Sequence, residues 1–223
     1  MKEVINNKDP LKLNIVYSTA YQVLVLIIPL ITAPYVSRVL GATNLGIYSY
    51  TQAFANYFVL FAMLGVSNYG NRSIAQVRDN PKLLSKTFWE IYSFQVCVTI
   101  AVSAVYILYC FIAVSQIRAI YLLQFLYVIS AGFDINWFFF GIEKFKLTVT
   151  RNTVIKIANA ILIFVFVKEQ SDLAIYTLIM SFGTLVSVIA LFPFLPKYIS
   201  FEKIEIKDVV KHIQPNLTLF IPV

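Results

Sequence analysis

Polar residues recur at helical spacing in four places: Asn14, Ser18 and Gln22; Ser49, Gln52 and Asn56; Gln124, Tyr127 and Asp134; and Asn152, Lys156 and Asn159. On a helix each set lies along one side, so amides, hydroxyls and a few charges form stripes. Such side chains donate and accept hydrogen bonds but do no covalent chemistry alone. In an apolar helix they either bond neighbouring helices or line a hydrated path for polar cargo. Four stripes in one chain, each able to turn inward, favour the path. Thr177, Ser181 and Thr184 are a smaller-residue face, better suited to close helix packing.

Catalytic constellations are not evident. The one histidine, His212, has no partner at a known spacing. The sequence shows no glycine-rich phosphate loop, no Cys/His metal spacing and no paired carboxylates in one loop. Neither an enzyme nor a cofactor or metal is expected. Cys97 and Cys110 fall in one expected helix, roughly 20 Å apart along its axis, whereas a disulfide needs Cα atoms within about 7 Å. Single charges each have two readings. Arg38 either snorkels at a membrane boundary or meets an anion, and Arg72 either marks a basic interface or binds phosphate.

The elements carrying these stripes follow from composition. Apolar residues make up 59% of the chain and charged residues 13%, with mean hydropathy +0.77, against about 25% charged in soluble domains. This is the signature of an all-α polytopic membrane protein. The formal charge of +7 does not signal nucleic acid, because the basic residues sit between apolar runs. Twenty-five uncharged residues separate Lys12 from Arg38, and another 25 run from Ile47 to Asn71. Each exceeds the roughly 20 residues that cross a bilayer core. The first is too long for a signal-peptide h-region, so no cleaved leader is expected.

Six spans are expected, over residues 13–36, 47–67, 88–111, 119–140, 147–167 and 173–195, the first kinked by Pro29 and Pro34. Residues 38–46 make a Gly-rich turn, residues 1–196 one six-helix lobe, 197–212 a cytoplasmic amphipathic linker and 213–223 the start of a seventh crossing. Trp89, Trp137 and Phe138-Phe139-Phe140 suit an interfacial aromatic belt. Alternate connections carry fifteen of the eighteen Lys and Arg. The positive-inside rule therefore expects that side, with the N-terminus, to be cytoplasmic.

The series Ser37-Arg38-Val39-Leu40-Gly41, Leu45-Gly46-Ile47-Tyr48-Ser49, Leu64-Gly65-Val66 with Tyr69-Gly70-Asn71-Arg72, and Asn136-Trp137-Phe138-Phe139-Phe140-Gly141-Ile142-Glu143-Lys144-Phe145 resembles the Wzx-type polysaccharide repeat-unit flippases. These belong to the superfamily that also holds MATE exporters and lipid II flippases. The resemblance implies twelve to fourteen helices in two six-helix lobes around a central cavity. It implies alternating-access translocation of undecaprenyl-diphosphate-linked oligosaccharides for O-antigen or capsule synthesis at a bacterial plasma membrane. Implied partners are membrane lipids, a polysaccharide polymerase, glycosyltransferases and a second, C-terminal lobe that this chain lacks.

Cargo of that kind carries a diphosphate, a polar glycan and a polyprenyl tail. The glycan needs a wet cavity, since unpaired polar groups in hydrocarbon cost several kcal/mol each. Gln22, Gln52, Asn56 and Asn159 suit sugar hydroxyls, and Arg38 or Arg72 suits phosphate. Asp134 and Lys156, at similar depth on adjacent helices, are expected to form an intramembrane pair. Residues 203–213 are expected to form an interfacial helix with Lys203, Lys207 and Lys211 toward headgroups. Two alternatives remain open at this level, a cation-coupled small-molecule exporter and a non-transporting membrane fragment.

Overall fold

A computed structural model describes residues 9–220, with side chains described from Ile27 onward except those of Ile206, Leu219 and Phe220. All regular structure within that range is helical. Helix α1, Asp9–Met63, is two limbs that meet at Gly41, whose φ of 77° and ψ of 167° suit glycine. The turn expected over 38–46 thus narrows to one residue. Asn44 Nδ2 donates to the carbonyl of Gln170 at 2.7 Å, tying this break to the turn Gln170–Asp172.

Leu64 and Gly65 both have positive φ and end α1. Helix α2, Val66–Val77, is therefore separate, and carries Arg72. Helix α3, Pro81–Ile112, starts where Asn80 caps the Leu83 amide and proline occupies the first turn. Helix α4, Arg118–Ser130, passes into a 3-10 turn at Ala131–Phe133 and an extended residue, Asp134, before α5, Asn136–Gly141. The single helix expected over 119–140 is thus interrupted. Helices α6, Phe145–Phe166, and α7, Leu173–Ile189, follow. A 3-10 turn, Phe192–Lys197, leads to α8, Ile206–Val210, and α9, Ile213–Phe220.

Among the described residues, four stretches are long and apolar enough to cross a membrane: Pro81–Ile112, Arg118–Gly141, Phe145–Phe166 and Gln170–Lys197. Their outer faces expose large apolar side chains such as Ile100, Leu108, Phe111, Val154, Ile161 and Phe166. Hydrocarbon solvates such a surface, which is why spans keep apolar residues on the outside. The chain is an all-α, multi-pass membrane protein.

Three apolar clusters hold the bundle. One joins α2, α3, α5 and the 192–197 turn through Ile74, Phe88, Ile91, Trp137, Phe138, Phe139 and Leu191. Another joins both limbs of α1 to α6 and α7 through Val36, Leu40, Tyr48, Ile163, Val167 and Tyr176. The third joins the second limb of α1, α3 and α4 through Ala55, Tyr106, Tyr121 and Val128. Trp137 is 2% exposed and Phe138 and Phe139 are fully buried. Contrary to expectation they are core, because the break at Asp134 turns α5 inward onto α2. Trp89 is half-buried and donates to the Ser200 carbonyl at 2.9 Å.

Basic connections touch one another: Arg78 pairs with Glu143, and Lys86 with Asp208 at 3.3 Å. The residue 203–213 segment departs from its expected form. Its helix covers only Ile206–Val210, and Lys211 turns inward to Glu90 at 2.8 Å. The buried carboxylate of Glu90 on α3 takes that ammonium as its partner.

The α2–α5 contact depends on two glycines. A Cβ at Gly70 would lie 2.6 Å from the Trp137 ring, and one at Gly141 would lie 2.5 Å from Ile74 Cγ2 and 3.0 Å from the Asn71 carbonyl. Gly141→Ala is expected to cost about 1–3 kcal/mol through overpacking against backbone. Gly46→Ala, at a helical site with no neighbour within 4 Å, is expected to hold or raise stability. Thermal unfolding in detergent of the two variants checks both signs.

Candidate functional site: two cavities

The first cavity, about 320 Å³, lies between the first limb of α1, α6 and α7. Its walls include Pro29, Val36, Ala160, Ile163 and Met180, and its polar groups are Thr32, Lys156, Asn159 and Tyr176. Lys156 stands midway along α6 and has no ion-pair or hydrogen-bond partner among the described residues. Close approach of α7 positions Asn159, since any Cβ on Gly183 would collide with its amide. A lone ammonium at that depth costs roughly 2.5–3.5 kcal/mol on insertion scales unless it is hydrated or paired.

Tyr176 contacts the Tyr48 ring edge-on at 4.7 Å, and Tyr48 donates to Gln52 Oε1 at 3.2 Å. Gln52 is thus one side chain removed from the cavity wall. Asn56 accepts from the Tyr127 hydroxyl at 2.9 Å, joining α1 to α4. Gln124, on the same stripe as Tyr127, is buried with neither amide atom bonded among the described residues. Arg38 is exposed, with no bonded partner among the described residues. The Gln22 side chain, with Asn14 and Ser18, lies outside the described residues.

Asp134 and Lys156 do not pair. Asp134 Oδ1 instead accepts from the Asn136 backbone and side chain at 2.9 and 2.6 Å, at the start of α5. The depth argument for the pair assumed a continuous helix four; the break redirects Asp134 while Lys156 turns toward α1. Arg151, which the spacing had not singled out, occupies the junction. Its Nη2 donates to Asn136 Oδ1 at 2.9 Å and Asn152 Oδ1 at 2.7 Å, and its Nη1 to the Ser187 carbonyl at 2.7 Å. Asn152 thus belongs to this junction, one face away from the cavity that Lys156 and Asn159 share.

The second cavity, about 450 Å³, lies between α2 and α9, lined by Tyr69, Arg72, Ser73, Gln76, Gln214 and Thr218. Beside it His212 bridges three elements. The Tyr69 hydroxyl lies 2.6 Å from Nδ1 and Glu90 Oε2 lies 2.9 Å from Nε2. Glu90 also meets Lys211 at 2.8 Å and Lys86 at 3.7 Å. His212 is 5% and Glu90 2% exposed. Spacing could not reveal this bridge, since 122 residues separate the partners. Arg38, Arg72 and Lys156 occupy three separate places rather than one site.

Comparison with known proteins gives one family, described as "Polysaccharide biosynthesis protein", matching residues 11–222. A protein of Escherichia coli (strain K12) named "Putative O-antigen transporter" is 30% identical over 189 residues, covering 83% of this chain and 45% of that protein. One of the same name from Shigella dysenteriae is 24% identical over 164 residues, covering 71% and 40%. The chain therefore spans less than half the length of these relatives. No solved structure matches it.

Proposed function

Because the chain belongs to the polysaccharide biosynthesis protein family, we propose that it forms one lobe of a flippase moving undecaprenyl-diphosphate-linked oligosaccharides to the outer leaflet by alternating access. The observation that carries this reading is Lys156, a lone cation midway along an apolar span, facing a cavity with Asn159 beside it. A diphosphate is the natural counterion for an ammonium that water alone solvates, and amides such as Asn159 exchange hydrogen bonds with sugar hydroxyls. The polyprenyl tail stays in lipid, where its solvation is already favourable. Arg72 and the polar wall between α2 and α9 receive cargo at the cytoplasmic end, and Arg38 meets it at the outer end. Gln52 and Asn56 adjust through their tyrosine partners.

The N-terminus is read as cytoplasmic in a bacterial plasma membrane. The second lobe, polymerase and glycosyltransferases are the proposed partners. A gradient of cargo or a coupled ion drives the cycle.

Expressed alone or with a second lobe, the chain is expected to restore surface O-antigen to a bacterium whose own repeat-unit transporter is deleted. Restored dye or drug resistance without surface polysaccharide would assign it to the exporters instead. In the same cells, cysteines at Asn44 and Gln170 are expected to react with an impermeant label, and those at Asn80 and Lys203 to stay unlabelled. The reverse pattern inverts the orientation.

A further inference from the structure

The tightest polar cluster lies outside the mid-membrane cavity, where Tyr69 of α2, Glu90 and Lys86 of α3, and Asp208 and Lys211 of the α8 segment surround His212. We propose that His212 is a proton site: empty, it fastens α9 to α2 and α3; filled, it releases α9 and so opens the wall of the α2–α9 cavity.

The hydrogen bonds fix one neutral tautomer. Glu90, already held by two ammonium groups, accepts at 2.9 Å, so Nε2 carries the hydrogen. Nδ1 then accepts from the Tyr69 hydroxyl at 2.6 Å. Every ring nitrogen is satisfied, and the ring needs no further proton. Asn216, one turn on in α9, is fully buried and donates to the His212 carbonyl at 2.7 Å. The bridge therefore anchors the first turn of α9, and Gln214 and Thr218 follow it into the cavity wall.

Charge sets the direction. Two carboxylates, Glu90 and Asp208, face two ammonium groups, Lys86 and Lys211, in mutual contact. That set is neutral with His212 uncharged. A proton on Nδ1 adds a third cation, removes the acceptor that Tyr69 uses, and places the charge where almost no water reaches. The Arg72 guanidinium on the adjoining cavity wall adds a further positive charge.

Burial holds the imidazole below its ordinary pKa, with Glu90 pulling the other way and Lys211 reinforcing the drop. The docked form thus binds a proton less readily than the released one. Docking is complete above the released-state pKa of about 6.5 and is lost progressively as pH falls below it. One proton can change the docked-to-released ratio by at most about tenfold per pH unit. No cargo is needed for this transition, so it stands or falls apart from the translocation reading.

The test uses the full chain in nanodiscs, with exposed Cys97 replaced by serine and a spin label on cysteine at Thr218. The mobile fraction of the label is expected to rise between pH 8 and pH 5. Histidine imidazole resonances of the unsubstituted chain are expected to titrate below about pH 6.5, at the same midpoint. His212→Gln presents an acceptor to Tyr69 and a donor to Glu90 yet takes up no proton, so its label is expected to show one mobility throughout. The same transition in His212→Gln, no transition in the parent chain, or an imidazole midpoint separate from the label's would each overturn the proposal. The imidazole titration decides the matter even if His212→Gln folds poorly.

Discussion

Lys156→Gln is expected to lower translocation of lipid-linked oligosaccharide roughly 10- to 100-fold, the equivalent of about 1.5–3 kcal/mol for a hydrogen bond to a charged group. The same substitution is expected to leave the folded protein as stable as before, or more so. Lys156 is exposed, lines its cavity and has no bonded partner among the described residues, so no described hydrogen bond or ion pair is lost. Removing a lone charge from mid-span relieves part of a cost of roughly 2.5–3.5 kcal/mol. Opposite signs for activity and stability distinguish a cargo-binding lysine from a structural one. Lys156→Arg keeps the charge and is expected to retain most activity, with a shift in preference where cargo phosphate meets a planar fork. Translocation scored by surface polysaccharide, beside thermal unfolding in detergent, reads both quantities. Falling stability with unchanged translocation would remove Lys156 from the path.

Gln95→Leu is expected to be the most damaging single change to the fold. Gln95 is fully buried and sits opposite the interruption between α4 and α5. Its Nε2 donates to the carbonyls of Ala131 and Asp134 at 2.6 and 2.9 Å. Its Oε1 accepts from the Trp137 indole at 2.9 Å. A broken helix leaves carbonyls without intrahelical donors, and inside a bilayer protein no bulk water replaces them. Leucine has nearly the same volume but satisfies none of the three groups, and the Ala131 carbonyl keeps only a long bond of 3.4 Å from the Asp134 amide. At about 1–3 kcal/mol per orphaned group the loss is on the order of 5 kcal/mol, or roughly 10 °C or more in unfolding midpoint for a chain this size. A midpoint within about 2 °C of the parent would mean that water or another donor already serves these carbonyls.

Gln95 also marks where sequence reading stops. Membrane class and helical content follow from local arithmetic: run lengths, a scarcity of charge and the distribution of Lys and Arg need no tertiary information. The Gly-rich turn near Gly41, the Pro-containing first limb and the polar stripes are local in the same sense, because each depends on residues within about two helical turns. Interruptions inside the spans are different. Nothing between Ala119 and Phe140 compels a break at Asp134, where no proline stands; the break persists because Gln95 donates to the carbonyls of Ala131 and Asp134, 36 and 39 residues later.

That break reassigned several residues together. It made Trp137, Phe138 and Phe139 core rather than interfacial, redirected Asp134 onto Asn136, and brought Arg151 to the junction. Lys156 and Asn159 were recognisable as a stripe on one helix, but which neighbour they faced depended on how α1 and α7 pack around α6. His212 carried no signal at all in the sequence, since its function as a bridge exists only through Tyr69 and Glu90. Sequence alone determined that this chain spans a membrane as helices with polar stripes, because those properties are set by the solvent around each segment. Only the tertiary structure decided which stripes line cavities and which charges meet, because hydrogen bonds and ion pairs form across distances in space that chain separation does not encode.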